Sequence, residues 1–183
     1  FFGEAELLIE TAAKLAFEAV QDSKKLNNNQ NNSTTATQIA GCLPPLFGSY
    51  RPELFDSERA HQIARPFLQA QAPYADIWLV ETQSCIVEAT TWQRLITEFT
   101  AQNGISSKPI WIAFTLEDSA LDLSEDSAAK SSTLKEPTLR SGEYVATAVQ
   151  AMIALKVDAI LFNCSQPEVM SSALKVAKDT IEK

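Results

Sequence analysis

Four short apolar runs in this sequence end in side chains that can do chemistry. Gln38–Leu43 holds Cys42, and Ile77–Val80 stops at Glu81-Thr82-Gln83. Pro109–Thr115 closes on a hydroxyl, and Ala159–Phe162 stops at Asn163-Cys164-Ser165. A carboxylate directly after four apolar residues is costly to bury alone, so Glu81 must be paired or functional. Holding the ammonium group of a small substrate is one answer; a salt bridge among neighbouring strand ends is the other. Cys164 is either a small core residue or a thiolate serving as nucleophile or metal ligand. A zinc ion there would need two or three more soft ligands. The other thiols are weaker candidates: Cys42 is followed by the backbone-shaping pair Pro44-Pro45, and Cys85 lies where a helix should start. No CxxC spacing occurs, and three cysteines cannot all pair within one chain. His61 is the single imidazole and falls in a helix away from every strand end, which assigns it a surface or structural role.

Helices must separate these runs. Apolar spacing predicts helices over Glu4–Val20, Ser57–Ala70 (with Pro66 as a kink), Ile86–Thr100, and from Ser141 to about Leu155. A last helix opens at Pro167 and extends to about Ile181. Ser141 reads as an N-cap with Glu143 in the first turn, and Trp92 and Phe99 fall at core spacing. Two stretches read as mobile loops: the Asn- and Gln-rich tract 27–35, and the long, acidic, Ser-rich excursion 116–140. The order is a helix and then four strand–helix units, with continuous apolar strands suited to burial on both faces. That pattern belongs to an α/β fold, either part of a (β/α)8 TIM-type barrel or an open doubly wound sheet. Four strands cannot close a barrel, so a barrel reading makes residues 1–183 a partial domain of about four βα units. In either fold the C-terminal strand ends share one rim, where Glu81, Thr115, Asn163 and Cys164 would converge.

Composition narrows the function classes. The chain has 183 residues, a formal charge of −8, 45% apolar residues and 5 Gly, which suits one globular domain and excludes collagen-like, disordered and disulfide-scaffold classes. The acidic balance argues against nucleic-acid binding. The apolar runs are far short of the about 20 residues that span a bilayer, and no signal segment opens the chain, so a cytoplasmic protein without a membrane partner is expected.

Four stretches together resemble the homocysteine S-methyltransferase family: Ala40-Gly-Cys-Leu-Pro-Pro-Leu-Phe-Gly-Ser-Tyr-Arg-Pro, Val80-Glu-Thr-Gln-Ser, Leu139-Arg-Ser-Gly-Glu and Leu161-Phe-Asn-Cys-Ser-Gln-Pro-Glu. The resemblance implies a (β/α)8 barrel whose zinc is held by three cysteines, one ending the sixth strand and a Cys-Cys pair ending the eighth. It makes Cys164 the first zinc ligand, Glu81 the carboxylate for the homocysteine amino group, and Asn163 a neighbouring substrate-binding residue. By the same comparison Cys42 lies in the loop after the third strand and is not expected to bind zinc. No Cys-Cys pair occurs here, so the chain corresponds to the middle of a family member, from the helix after strand two to the helix after strand six.

The implied reaction is zinc-dependent methyl transfer to homocysteine, giving methionine. A free thiol titrates near ~8.5 and is mostly unreactive at neutral pH, whereas zinc keeps it as a thiolate. The donor would be S-methylmethionine, with S-adenosylmethionine and betaine as the other candidates. The 116–140 excursion, leaving a strand on the same rim, is expected to cover the site. Two other readings compete: a non-catalytic half-barrel that assembles with a partner chain, and an open-sheet α/β protein in which Cys164 is core.

Overall fold

The computed structural model describes residues 2–28, 37–118 and 136–183. The chain runs α1 (Phe2–Asn28), β1 (Ala40–Leu43), a 3-10 turn at Pro52–Leu54, α2 (Ser57–Gln71), β2 (Ile77–Gln83) and α3 (Ile86–Asn103). It continues through β3 (Ile110–Phe114), α4 (Val145–Ala154), β4 (Ala159–Phe162) and α5 (Pro167–Ile181). Of the two expected loops, residues 27–28 belong to α1, while 29–35 and 119–135 lie outside the described residues.

All four strands are parallel and lie in the order β1-β2-β3-β4. Consecutive helices touch in the same order, α1 on α2 through to α4 on α5. A doubly wound sheet reverses its strand order at a switch point and carries helices on both faces. Monotonic order with one helical layer is the barrel pattern, so the chain forms four consecutive βα units of a (β/α)8-type barrel.

The two faces of the sheet follow from side-chain alternation. Leu43, Trp78, Val80, Ile112 and Phe114 are buried in one core with Ala60, Ala64, Leu68, Trp92, Leu95, Val149 and Met152 of the helices. Gly41 is required there, because a Cβ would sit 2.8 Å from the Trp78 ring and 3.0 Å from Ala75 Cβ. The alternate residues, including Cys42, Leu79 and Glu81, line the opposite face. An aspartate just ahead of a strand braces its neighbour twice over. Asp76 accepts from Ile39 N at 2.8 Å, and Asp158 accepts from Ile110 N at 2.8 Å.

Two helix ends follow local chemistry, and one expected cap does not form. Asp56 caps α2 by accepting from Glu58 N and Arg59 N at 3.0 and 3.1 Å, and Gly104, at φ 61°, ends α3 in the left-handed conformation. Pro66 lies inside the uninterrupted α2. The exception is Ser141, which does not cap α4; that helix starts at Val145 after Tyr144. The Ser141 hydroxyl instead donates to Glu143 at 2.6 Å, and the same Glu143 oxygen accepts from Ile86 N at 2.9 Å, bracing the start of α3. Two further corrections concern strands. β2 does not stop at Val80 but runs through Glu81 to Gln83, and Cys42 belongs to β1, as the apolar run predicts, rather than to the loop where the resemblance put it.

Glu88, in the first turn of α3, is the most deeply buried carboxylate described, at 1% exposure. Its Oε2 accepts from Ser84 N at 2.6 Å while Oε1 has no partner. Burial raises its pKa, and the backbone N–H groups of Ser84 and Cys85 offset that only in part. A carboxyl raised in the folded state favours folding below its unfolded value, near 4.5, and that advantage is lost as pH rises through the folded value. Glu88→Gln keeps an oxygen for Ser84 N and removes the charge. The variant is expected to gain about 1–3 kcal/mol on the wild type as pH rises from about 4.5 upward. Thermal denaturation across that range checks it; parallel curves for the two proteins would contradict it.

Candidate active site at the strand ends

The strand ends are held together by side chains whose positions follow from backbone breaks. Val80 pairs with Ile112, but Gln83 pairs with Phe114, so β2 carries one extra residue over Glu81-Thr82. Such a bulge re-aims side chains at a barrel rim. Its source is Thr82, at φ 59°. A β-branched residue in the left-handed region costs about 1–3 kcal/mol and persists only when its surroundings hold it. Cys164, at φ 51°, leaves β4 by the same kind of break.

What holds Thr82 is Asn163. The Asn163 side-chain oxygen accepts from Thr82 N at 3.2 Å, and its amide nitrogen donates to Thr82 Oγ1 at 3.0 Å. Thr82 Oγ1 in turn lies 3.7 Å from Cys164 Sγ as a donor. The turn that carries Cys164 is fixed from beneath. Leu116 N donates to Ser165 Oγ at 2.7 Å, Ser165 Oγ donates to Asn163 O at 3.1 Å, and Thr115 Oγ1 donates to Cys164 O at 3.3 Å. Thr115, Asn163 and Cys164 therefore meet, and Glu81 joins them through its peptide bond to Thr82.

Glu81 is half-buried and hydrogen-bonds the Cys42 thiol of the adjacent strand. Desolvation around the sulfur, reinforced by the Glu81 charge and that hydrogen bond, raises the Cys42 pKa to about 11. Cys42 is thus a neutral thiol at neutral pH. Cys85 is buried at the N-cap of α3, and burial pushes its thiol up to about 12. Cys164 is exposed at the rim. His61 is exposed on α2, where it lines a groove with Arg65 and Glu98 between α2 and α3, apart from the strand-end cluster.

A second layer lies beside Cys164. Tyr50, at φ 64° in the β1–α2 loop, hydrogen-bonds the Cys164 side chain, which raises its phenol pKa. Arg140 stacks on the Tyr50 ring at 5.2 Å and donates to Asp118 Oδ1 at 2.6 Å. Asp118 Oδ2 accepts from Gln166 N at 2.8 Å, two residues past Cys164. Sequence reasoning singled out none of Tyr50, Thr82, Asp118 or Arg140 for the site. A signal was nevertheless present: Tyr50, Thr82 and Arg140 all lie inside the stretches that carried the family resemblance.

The donor set limits what the described residues can hold. Among them no group of three or more His, Cys, Asp or Glu side chains is arranged for a metal ion, and Cys164 stands as a single soft donor. No helix among them is long and apolar enough to cross a membrane.

Comparison with known proteins puts this geometry in context. A family model for homocysteine S-methyltransferase matches residues 2–183. No curated protein matches the chain. Among solved structures, the apo form of the homocysteine methyltransferase MmuM from Escherichia coli superimposes with a TM-score of 0.68 at 22% identity, covering 96% of this chain and 55% of that one. Its oxidized form gives a TM-score of 0.68 at 21% identity, covering 95% and 53%. The chain thus spans about half the length of the solved structures it resembles, and at these identities the likeness is one of fold. The match of the family model over 2–183 carries the further step: this chain belongs to the homocysteine S-methyltransferase family.

Proposed function

We propose that the protein carrying this chain is a cytoplasmic enzyme that transfers a methyl group to homocysteine, giving methionine. The observation that carries this reading is the family match over residues 2–183, together with a carboxylate and a thiol gathered around Thr82 at the strand ends. Glu81 holds the homocysteine ammonium group; it is half-buried beside the Cys42 thiol, so a cation satisfies its charge. Asn163 fixes the rim on which the amino acid rests.

The homocysteine proton leaves to solvent, and the sulfur attacks the methyl carbon of the donor. The bond from that carbon to the donor heteroatom breaks, and its electron pair stays on the departing group. A positively charged donor leaves as a neutral thioether or amine, which suits S-methylmethionine, S-adenosylmethionine and betaine alike; the family resemblance makes S-methylmethionine the first choice. Zinc enters this proposal as the ion toward which Cys164 supplies one thiolate; when bound, it would keep the substrate thiol ionised at neutral pH. One thiolate falls short of the three or four protein ligands zinc takes, so the described residues alone do not fit the ion. The other ligands belong, on this reading, to the half of the relatives' length that the chain does not span.

The test is methionine formation by the full-length protein from homocysteine and each of the three donors in turn. Turnover with S-methylmethionine above the other two is expected, and no methionine with any of them overturns the reading.

A further inference from the structure

Thr82 sits between Glu81 and the Asn163-Cys164 pair and has no part in the chemistry above. It is 7% exposed, and the bulge in β2 uses its left-handed backbone but does not call for a threonine side chain. Glycine or asparagine would adopt φ 59° at less cost. What they lack is a hydroxyl fixed at that point. The Thr82 hydroxyl accepts from Asn163 Nδ2 at 3.0 Å, while the Thr82 backbone N–H donates to Asn163 Oδ1 at 3.2 Å. Its single proton is thereby directed at Cys164 Sγ, 3.7 Å away. β2 and β4 are not neighbours in the sheet, so this contact reaches across the end of β3.

We infer that Thr82 is a positioning residue, whose hydroxyl locks the Cys164 side chain and the Asn163 amide into one arrangement across the mouth of the sheet. The kinetic arm of this inference rests on the methyl-transfer reading; the geometric arm does not.

The experiment compares Thr82→Ser and Thr82→Val with wild type in the full-length protein. Cysteine labelled with carbon-13 at Cβ reports the Cys164 rotamer by NMR, and Cys42, outside the network, serves as the reference. One fixed Cys164 rotamer is expected in wild type and Thr82→Ser, and rotamer averaging in Thr82→Val, with Cys42 unchanged. In methyl transfer, Thr82→Val should lose about 10–100-fold in kcat, as an outer-shell partner does. Its KM for homocysteine, and both constants of Thr82→Ser, should stay within about threefold of wild type. If Thr82→Val does not fold, Asn163→Ala removes the same grip from the other side and should release the Cys164 rotamer. A fixed rotamer in the folded variants, or Thr82→Ser behaving as Thr82→Val, overturns the inference. An inactive wild type with the expected rotamers would sink the methyl-transfer reading and leave the positioning role standing.

Discussion

Cys164→Ala in the full-length protein is expected to lower methyl transfer by more than about 100-fold, beyond the loss that removing an outer-shell partner brings. The side chain is exposed at the rim and contributes little burial, so the fold should survive. Alanine at φ 51° keeps the same backbone strain as cysteine, which makes the substitution close to neutral for stability. Cys164→Gly, which relaxes that strain, should be equally inactive and slightly more stable. The control is Cys42→Ala. Cys42 lies on the open face beside Glu81, but its thiol is pushed up to about 11 and is neutral at the assay pH. Its loss should leave activity within about threefold of wild type. Steady-state kinetics with matched thermal melts decides between the thiols. Activity retained in folded Cys164→Ala would remove that sulfur from the mechanism, and activity lost with Cys42→Ala would move the site toward β1.

The sequence made the strands legible because each is an apolar run buried by the helical layer, as with Val80, Ile112 and Phe114. Their ends were harder to read. Glu81, Thr82 and Gln83 are polar, yet they stay in β2, since pairing to β3 resumes at Gln83 after the extra residue. Spacing alone left a barrel and an open sheet both standing, because each uses the same βα unit; strand order separates them. The start of α4 was misread for a related reason. Ser141 and Glu143 carry the local chemistry of an N-cap, but Glu143 spends its carboxylate on Ile86 N, 57 residues away in sequence. The same kind of long reach hides Tyr50, Arg140 and Asp118 from any reading by local pattern. They meet through the connections that follow two different strands, Tyr50 after β1 and Asp118 and Arg140 after β3. The strand-end positions of Glu81 and Cys164 were legible because Glu81 follows an apolar run directly and Cys164 follows one after Asn163.

That long-range layer leads to the second large effect. Asp118 joins two partners at once, the Arg140 guanidinium at 2.6 Å and Gln166 N at 2.8 Å, and its side chain is 9% exposed. Removing one member of a well-shielded ion pair leaves the other charge uncompensated, which costs about 3–5 kcal/mol. Arg140 is 20% exposed, so water recovers part of that loss, and Asp118→Ala is expected near the lower end, about 3 kcal/mol. The damage should be directional. Without Asp118, Arg140 loses its anchor under Tyr50, and the Cys164-Ser165-Gln166 turn loses its tie at Gln166 N while keeping those from Thr115 and Leu116. Asp118→Asn keeps an acceptor for Gln166 N but not the charge, and should fall between wild type and alanine in stability. Denaturant melts of the full-length variants give the energies, and the rotamer of carbon-13-labelled Cys164 gives the local effect. A loss below about 0.5 kcal/mol, the range of an ordinary surface substitution, would mean that the pair holds nothing together. A full stability loss with Cys164 unmoved would show that Asp118 braces the fold but not the thiol.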